Sequence, residues 1–289
     1  MTSSRNIKKT QSIVNTSPPE TLFILGAVSQ YVGAAIAFNL FDTLGVSTVA
    51  ILRVLGAAIV TILIRRSWKR SIPRGDLVWV AAFGVVLAGM NLCFYLAIDN
   101  LPLGNAVAIE FLGPIVIAFS GQRSFRSICS LLLASIGVAL LAEVSPEGSA
   151  TGVVFALAAG SLWALYILLG SHVARSNAHM DGLGIGMMIG AIVISPAGLD
   201  GLQEVGSEPV LALVALSTGI LSSAIPYSID QVVFRRVSRF RFAFLQALLP
   251  ATAVLVGTIT LRQQPSLLEL SGIFLVIIAI LLRKQRAEG

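Results

Sequence analysis

Apolar residues run through most of this chain in long blocks separated by short polar stretches. This is neither the alternation of a strand nor the one-sided stripe of a helix on a soluble surface. The blocks fall at 21–40, 46–64, 77–97, 103–119, 128–142, 151–171, 183–199, 209–233, 242–260 and 267–282. Most have about the 17–25 residues that a helix needs to cross a bilayer. The pattern predicts an all-α integral membrane protein of ten transmembrane helices. Residues 1–20 are polar and without period, and are expected to form a disordered cytoplasmic tail. The first block, with its basic flank and Ala35-Ile36-Ala37, has the look of a signal peptide. Nine further blocks follow it, so it is read as a retained helix.

Composition agrees. Of 289 residues, 56% are hydrophobic and only 12% charged, with a mean hydropathy of +0.88. A soluble domain carries about 25% charged residues, so this chain lacks the charge to cover a surface facing water. The net charge of +6 is explained by where the charges lie. With the N-terminus placed in the cytoplasm, 18 of the 20 basic residues fall on that side. Asp42, Asp99, Glu143, Glu147, Asp200, Glu204, Glu208 and Glu269 collect on the other. That is the positive-inside bias; it predicts both termini in the cytoplasm and requires no nucleic-acid partner.

A shift of 136 residues places Glu110-x-x-x-Pro114 on Gln246-x-x-x-Pro250. The loop before the first is acidic and the loop before the second is basic. Two halves of five helices, 21–142 and 151–285, must then lie in the membrane with opposite orientations. Inverted repeats of this kind mark secondary transporters, which bind cargo at the midplane where the halves meet.

Short loops leave no room for a soluble catalytic domain, and no phosphate-binding loop or H-E-x-x-H motif is present. His172 and His179 are expected in a cytoplasmic loop. Cys93 and Cys129 are read as small buried hydrophobes. No metal site and no cofactor are expected. An intramembrane enzyme is the rival reading, without a motif behind it.

Charged groups inside apolar helices are costly and functional by default. There are three: Arg53, Glu110 and Asp230. Arg53 lies about 10 Å into its helix; it either forms an ion pair, with Glu110 for instance, or binds an anionic group of the cargo. Asp230 precedes Arg235 by five residues and either pairs with that basic cluster or takes part in binding or coupling. Glu110 is near mid-helix, out of reach of either headgroup layer. Pro114 lacks an N–H, so the carbonyl of residue 110 loses its helical partner, and Pro250 does the same for Gln246. Pro226 is a third helix-breaking position. Two polar side chains with two freed carbonyls at related positions predict a binding site, against a bland reading of proline kinks for packing.

Gln30, Tyr31, Asn91, Tyr95, Trp163, Tyr166 and Tyr227 are candidate lining residues. Asn91 and Tyr95 are four apart, and Trp163 and Tyr166 three apart, so each pair shares a helix face. The glycine run from Gly182 to Gly190 permits close helix packing, within the chain or, as the alternative, in a homodimer.

The segments G-M-N-L-C-F-Y-L-A-I-D-N-L-P-L-G-N-A-V-A-I-E-F-L-G-P (89–114), S-L-W-A-L-Y-I-L-L-G-S (161–171) and S-A-I-P-Y-S-I-D (223–230) resemble EamA-type drug/metabolite transporters. Within them the likeness is strongest to the bacterial inner-membrane branch that exports threonine and homoserine. The resemblance implies ten helices in two inverted halves, no cofactor, and export of small amino acids or related metabolites by proton exchange. An importer or a drug-efflux pump of the same fold is the alternative. It also implies that Asn91, Tyr95, Glu110, Trp163, Tyr166, Tyr227 and Asp230 stand at polar positions of the exporter pattern. Two departures stand out: Leu249 where a glutamate is expected, and Leu261-Arg262-Gln263 where L-G-E is common.

Overall fold

The computed structural model describes residues 17–101, 103–120, 124–141, 149–252 and 266–284, and every regular element among them is helical. Helices α1 (Pro19–Phe38), α2 (Phe41–Leu44) and α3 (Val46–Arg65) lead through a 3₁₀ turn at Ser67–Lys69 to α4 (Arg74–Asn100). Then come α5 (Leu103–Glu110), α6 (Leu112–Ser120), α7 (Phe125–Leu141), α8 (Ala150–Arg175) and α9 (His179–Ile194). A 3₁₀ segment at Ser195–Gly201 and the short α10 (Leu202–Ser207) precede α11 (Pro209–Gly219). A π turn at Ile220–Ala224 joins α11 to α12 (Ile225–Arg236), followed by α13 (Arg239–Leu245) and α14 (Leu267–Lys284).

Starts and breaks follow from local chemistry. Proline opens α1 and α11, where a missing N–H costs nothing. Ser149 and Ser238 cap α8 and α13, accepting from the N–H of Gly152 at 3.0 Å and of Arg241 at 3.2 Å. Gly45, at φ 75°, turns the chain between α2 and α3 in a conformation that other residues rarely adopt.

Five helical stretches are long and apolar enough to span a membrane: Val46–Arg65, Arg74–Asn100, Ala150–Arg175, Met180–Leu199 and Pro209–Arg236. The distribution of side chains is that of a protein dissolved in lipid. Ile64, Val78, Phe125 and Leu267 are 70–84% exposed, whereas Arg53, Glu110, Gln231 and Gln246 are 1–8% exposed. Exposed oil is costly in water and costless in hydrocarbon, while polar groups must be satisfied inside.

The sequence reading needs several corrections. The fourth block is broken by a turn at Phe111. His172 lies inside α8 with its ring 4.7 Å from that of Trp79, and His179 opens α9; neither is in a loop. Cys93 and Cys129 are half-buried. The predicted tail falls outside the described residues up to residue 16, as does the ninth block beyond 252.

Lipid gives helices no hydrophobic reason to associate, so close packing must do it, and glycine provides the approach. A Cβ built on Gly84 of α4 would sit 1.8 Å from the Gly186 carbonyl oxygen of α9. One on Gly113 of α6 would sit 1.9 Å from the Gly160 carbonyl oxygen of α8. At one end of the bundle, Asp181 at the start of α9 is buried under Ser67, Arg70 and Arg65, at 2.9, 3.0 and 3.7 Å. Arg241 pairs with Glu20 at 2.8 Å, joining α13 to α1.

Substituting Gly84 therefore forces two backbones apart. Gly84→Ala is expected to cost about 1–3 kcal/mol, the usual range for overpacking, and to lower the melting temperature in detergent by several degrees. Gly75→Ala, at a position with nothing within 4 Å of the new Cβ, should leave it unchanged. Thermal unfolding followed by size-exclusion fluorescence reads both.

Candidate functional site

The π turn at Ile220–Ala224 organises the site. Pro226 has no N–H to give the carbonyl four residues earlier, that of Ser222. The turn widens instead, with the Ile225 N–H reaching back five residues to the Ile220 carbonyl. Single π turns inside α-helices frequently mark functional sites. Two carbonyls here are taken by side chains from other helices. The Ser29 hydroxyl donates to the Leu221 oxygen at 2.7 Å, and Arg53 Nη2 donates to the Ser222 oxygen at 3.0 Å.

Arg53 is 4% exposed. Its Nε donates to the Ser223 hydroxyl at 2.8 Å and its Nη1 to the Tyr95 hydroxyl, with the guanidinium 5.4 Å from the centre of the Tyr95 ring. Gly219 allows this approach, since a Cβ there would lie 2.1 Å from the Arg53 carbonyl oxygen. All three of these acceptors are neutral, and among the described residues no carboxylate lies within ion-pair distance of Arg53. The expected pair with Glu110 is not formed. Arg53 is instead the donor that satisfies the broken helix opposite.

Below this layer, Asn91 Nδ2 donates to the Tyr227 hydroxyl at 2.8 Å and to the Leu87 carbonyl at 2.8 Å. The Tyr166 hydroxyl donates to Asp230 Oδ2 at 2.7 Å, and the rings of Tyr166 and Tyr227 are 5.7 Å apart. Asp230 thus bonds Tyr166 and forms no ion pair with Arg235. Residues five apart on a helix are about 140° apart around its axis, facing different neighbours. Asp230 remains half-buried, whereas Tyr166 is 1% exposed.

Glu110 ends α5 and is 8% exposed, with no ion pair among the described residues. It lies within electrostatic range of Tyr31 and Cys93. Trp163 packs edge-on against the neighbouring Phe111, centroids 5.9 Å apart. The freed carbonyl at Glu110 faces α8, because a Cβ on Gly160 would sit 2.7 Å from that oxygen. The Gln246 carbonyl accepts from the Leu249 N–H at 2.9 Å. Gln246 is 2% exposed with its Oε1 unbonded, and Gln231, 1% exposed, has neither amide atom bonded.

The structure thus brings Arg53, Tyr95, Asn91, Tyr227, Tyr166 and Asp230 into one buried polar layer. Glu110 at the end of α5 and Trp163 of α8 stand where α5 and α6 pack on α8, and Gln246 follows α13. Ser222, Ser223 and Ser29 were not singled out from sequence. Their only signal was Pro226, four residues after Ser222.

Comparison with known proteins fits this arrangement. The EamA-like transporter family matches residues 150–283. The threonine/homoserine exporter RhtA of Escherichia coli K12 is 31% identical over 265 residues, covering 90% of this chain and 89% of that protein. RhtA of Salmonella typhimurium LT2 is 28% identical over 264 residues, covering 90% and 89%. An uncharacterised transporter of Bacillus subtilis, YxxF, is 22% identical over 229 residues, 74% of this chain and 72% of its own. A protein of known crystal structure superimposes with a TM-score of 0.70 over 93% of this chain and 99% of its own, at 17% identity, a likeness of fold alone. With a relative this similar over nine-tenths of its length, the chain is a multi-pass membrane protein and belongs to the EamA-like transporter family.

Proposed function

We propose that the protein is a secondary exporter of small amino acids of the threonine and homoserine kind, exchanging them for protons across a bacterial inner membrane. On this reading ten helices form two inverted halves, 21–142 and 151–285, with both termini in the cytoplasm. The observation that carries it is the hydrogen bond between Asn91 and Tyr227. These residues are 136 apart, the same shift that places Glu110 on Gln246. Positions related by a two-fold axis touch each other only near that axis, and the axis between halves is where such transporters bind cargo. Helix pairing supports the same symmetry. The contact of α4 with α8 is matched by that of α12 with α1, and the contact of α9 with α4 by that of α11 with α3. The cargo is that of the threonine/homoserine exporters to which the chain is similar.

Glu110 and Asp230 are the carboxyls within this region, and each can carry a proton as access alternates. Uptake of labelled threonine into inverted vesicles tests the reading. An imposed gradient, acid inside, should drive accumulation severalfold above the ungraded control. Vesicles that respond to another metabolite and not to threonine or homoserine would leave a transporter with a different cargo. Glu110→Gln should keep the folded yield and lose gradient-driven accumulation about a hundredfold or more, from the low end of what a positioned proton-transfer group contributes. Undiminished driven uptake by this variant would remove Glu110 from the coupling.

Topology is checked separately. In a background lacking Cys93 and Cys129, Ser71→Cys and Ser238→Cys should be shielded from an impermeant thiol reagent in intact cells, and Ser207→Cys labelled. All three positions are exposed. Equal labelling of Ser238→Cys and Ser207→Cys would refute the inverted layout.

Pro226 offers a third test. Pro226→Ala restores an N–H that competes with Arg53 for the Ser222 carbonyl. Transport should fall about tenfold or more, the scale of one charge-assisted hydrogen bond of 1.5–3 kcal/mol, while the melting temperature stays level or rises.

A further inference from the structure

The buried layer holds two opposite charges that do not meet. Arg53 donates to three neutral acceptors, the Ser222 carbonyl and the hydroxyls of Ser223 and Tyr95. Asp230 accepts from the Tyr166 hydroxyl on Oδ2 and forms no ion pair among the described residues. An unneutralised guanidinium is expensive in a low-dielectric interior, and a pair of this kind retained apart needs a reason. Their placement on the helix supplies one. Ser223, which anchors the Arg53 fork, Tyr227 and Asp230 stand at i, i+4 and i+7. They form one stripe along one face, about 10 Å from end to end.

Building on the exporter reading, we infer that Arg53 and Asp230 are the two ends of a clamp for a zwitterion. Arg53 takes the cargo's carboxylate and Asp230 its ammonium group, with Tyr227 beside the bond between them. The planar guanidinium fork suits a carboxylate bidentately, and its bonds to Ser222, Ser223 and Tyr95 fix its direction in advance. Asp230 bonds Tyr166 through Oδ2 and is half-buried, unlike its sealed partner Tyr166. A molecule with only one of the two charges leaves the other uncompensated in the bundle. Selection for amino acids over amines and over hydroxy acids then follows from the two charges alone.

The test is a competition panel on purified protein in proteoliposomes, with labelled threonine counterflow as the readout. The competitors are 1-amino-2-propanol, which is threonine without its carboxylate, and 3-hydroxybutyrate, which is threonine without its amino group. Both should compete at least about tenfold more weakly than threonine on the wild-type protein, the loss expected when a buried charge is left unpaired. Arg53→Gln should raise the half-saturation for threonine and erase the preference over 1-amino-2-propanol, while the preference over 3-hydroxybutyrate persists. Asp230→Asn should do the reverse, and Arg53→Lys should restore part of the first preference. Because the wild-type panel needs no variant to fold, instability of Arg53→Gln cannot hide the answer. Wild-type protein that moves threonine but is inhibited equally well by 1-amino-2-propanol would overturn the clamp and leave the exporter standing. So would an Arg53→Gln variant that weakens every ligand alike, the mark of a purely structural arginine. Protein that moves no amino acid would overturn the exporter reading and the clamp together.

Discussion

A guanidinium carried into an apolar bundle must have its N–H groups satisfied, and at Arg53 that requirement ties several helices together. Its own helix, α3, supplies the charge, and α4 supplies the Tyr95 hydroxyl. The π turn between α11 and α12 supplies the Ser222 carbonyl and the Ser223 hydroxyl. The turn is open because Pro226 withholds an N–H, and it can approach because Gly219 has no side chain to hold it away. Truncating Tyr95 or Ser223 strands a buried N–H of Arg53. Such groups cost more than the bond was worth, so the constraint is cooperative and not a sum of three contacts.

The rest of the bundle serves this layer through the same economy of surface. Hydrocarbon does not push helices together, so the crossings at Gly84–Gly186 and Gly113–Gly160 draw on backbone contact and dispersion. The Gly113–Gly160 crossing also covers the Glu110 carbonyl with α8. At the end where Asp181 gathers Ser67, Arg65 and Arg70, charge is buried with charge, and the outcome is a structural joint. The contrast with Arg53 is informative. Ionic groups that have each other hold helices, and ionic groups held apart by neutral neighbours are left with chemistry to do.

The sequence made the apolar blocks, the three intramembrane charges and the polar faces of α4 and α8 legible, because each contradicts its surroundings. It could not say where each partner lay. Three prolines free three carbonyls on paper. In space Glu110's is covered by Gly160, Gln246's is recaptured by the Leu249 N–H, and only Ser222's receives a cation. Which carbonyl matters is decided by the helix opposite, and that is a tertiary fact. Proximity in the chain offered Arg235 as a partner for Asp230, but five residues place them on different sides of α12, and Tyr166 lies on the side that Asp230 faces. Serine raised no signal because it is at ease in helices, bonding its own backbone, as Ser222 does with the Thr218 carbonyl at 2.7 Å.

The division of Arg53's hydrogen bonds bears on how such a protein could move. Tyr95 and Arg53 belong to the half at 21–142, while Ser222, Ser223 and Asp230 belong to the half at 151–285. Under the two-half reading proposed above, rocking one half against the other separates Arg53 from the serines but not from Tyr95. A carboxylate arriving at that moment replaces acceptors that the motion removes, so the binding of cargo lowers the cost of the change. A ligand shifts an equilibrium only by its difference in affinity for the two states. Here the difference has a location: the N–H groups of one arginine that the resting structure satisfies with neutral oxygens from across the boundary.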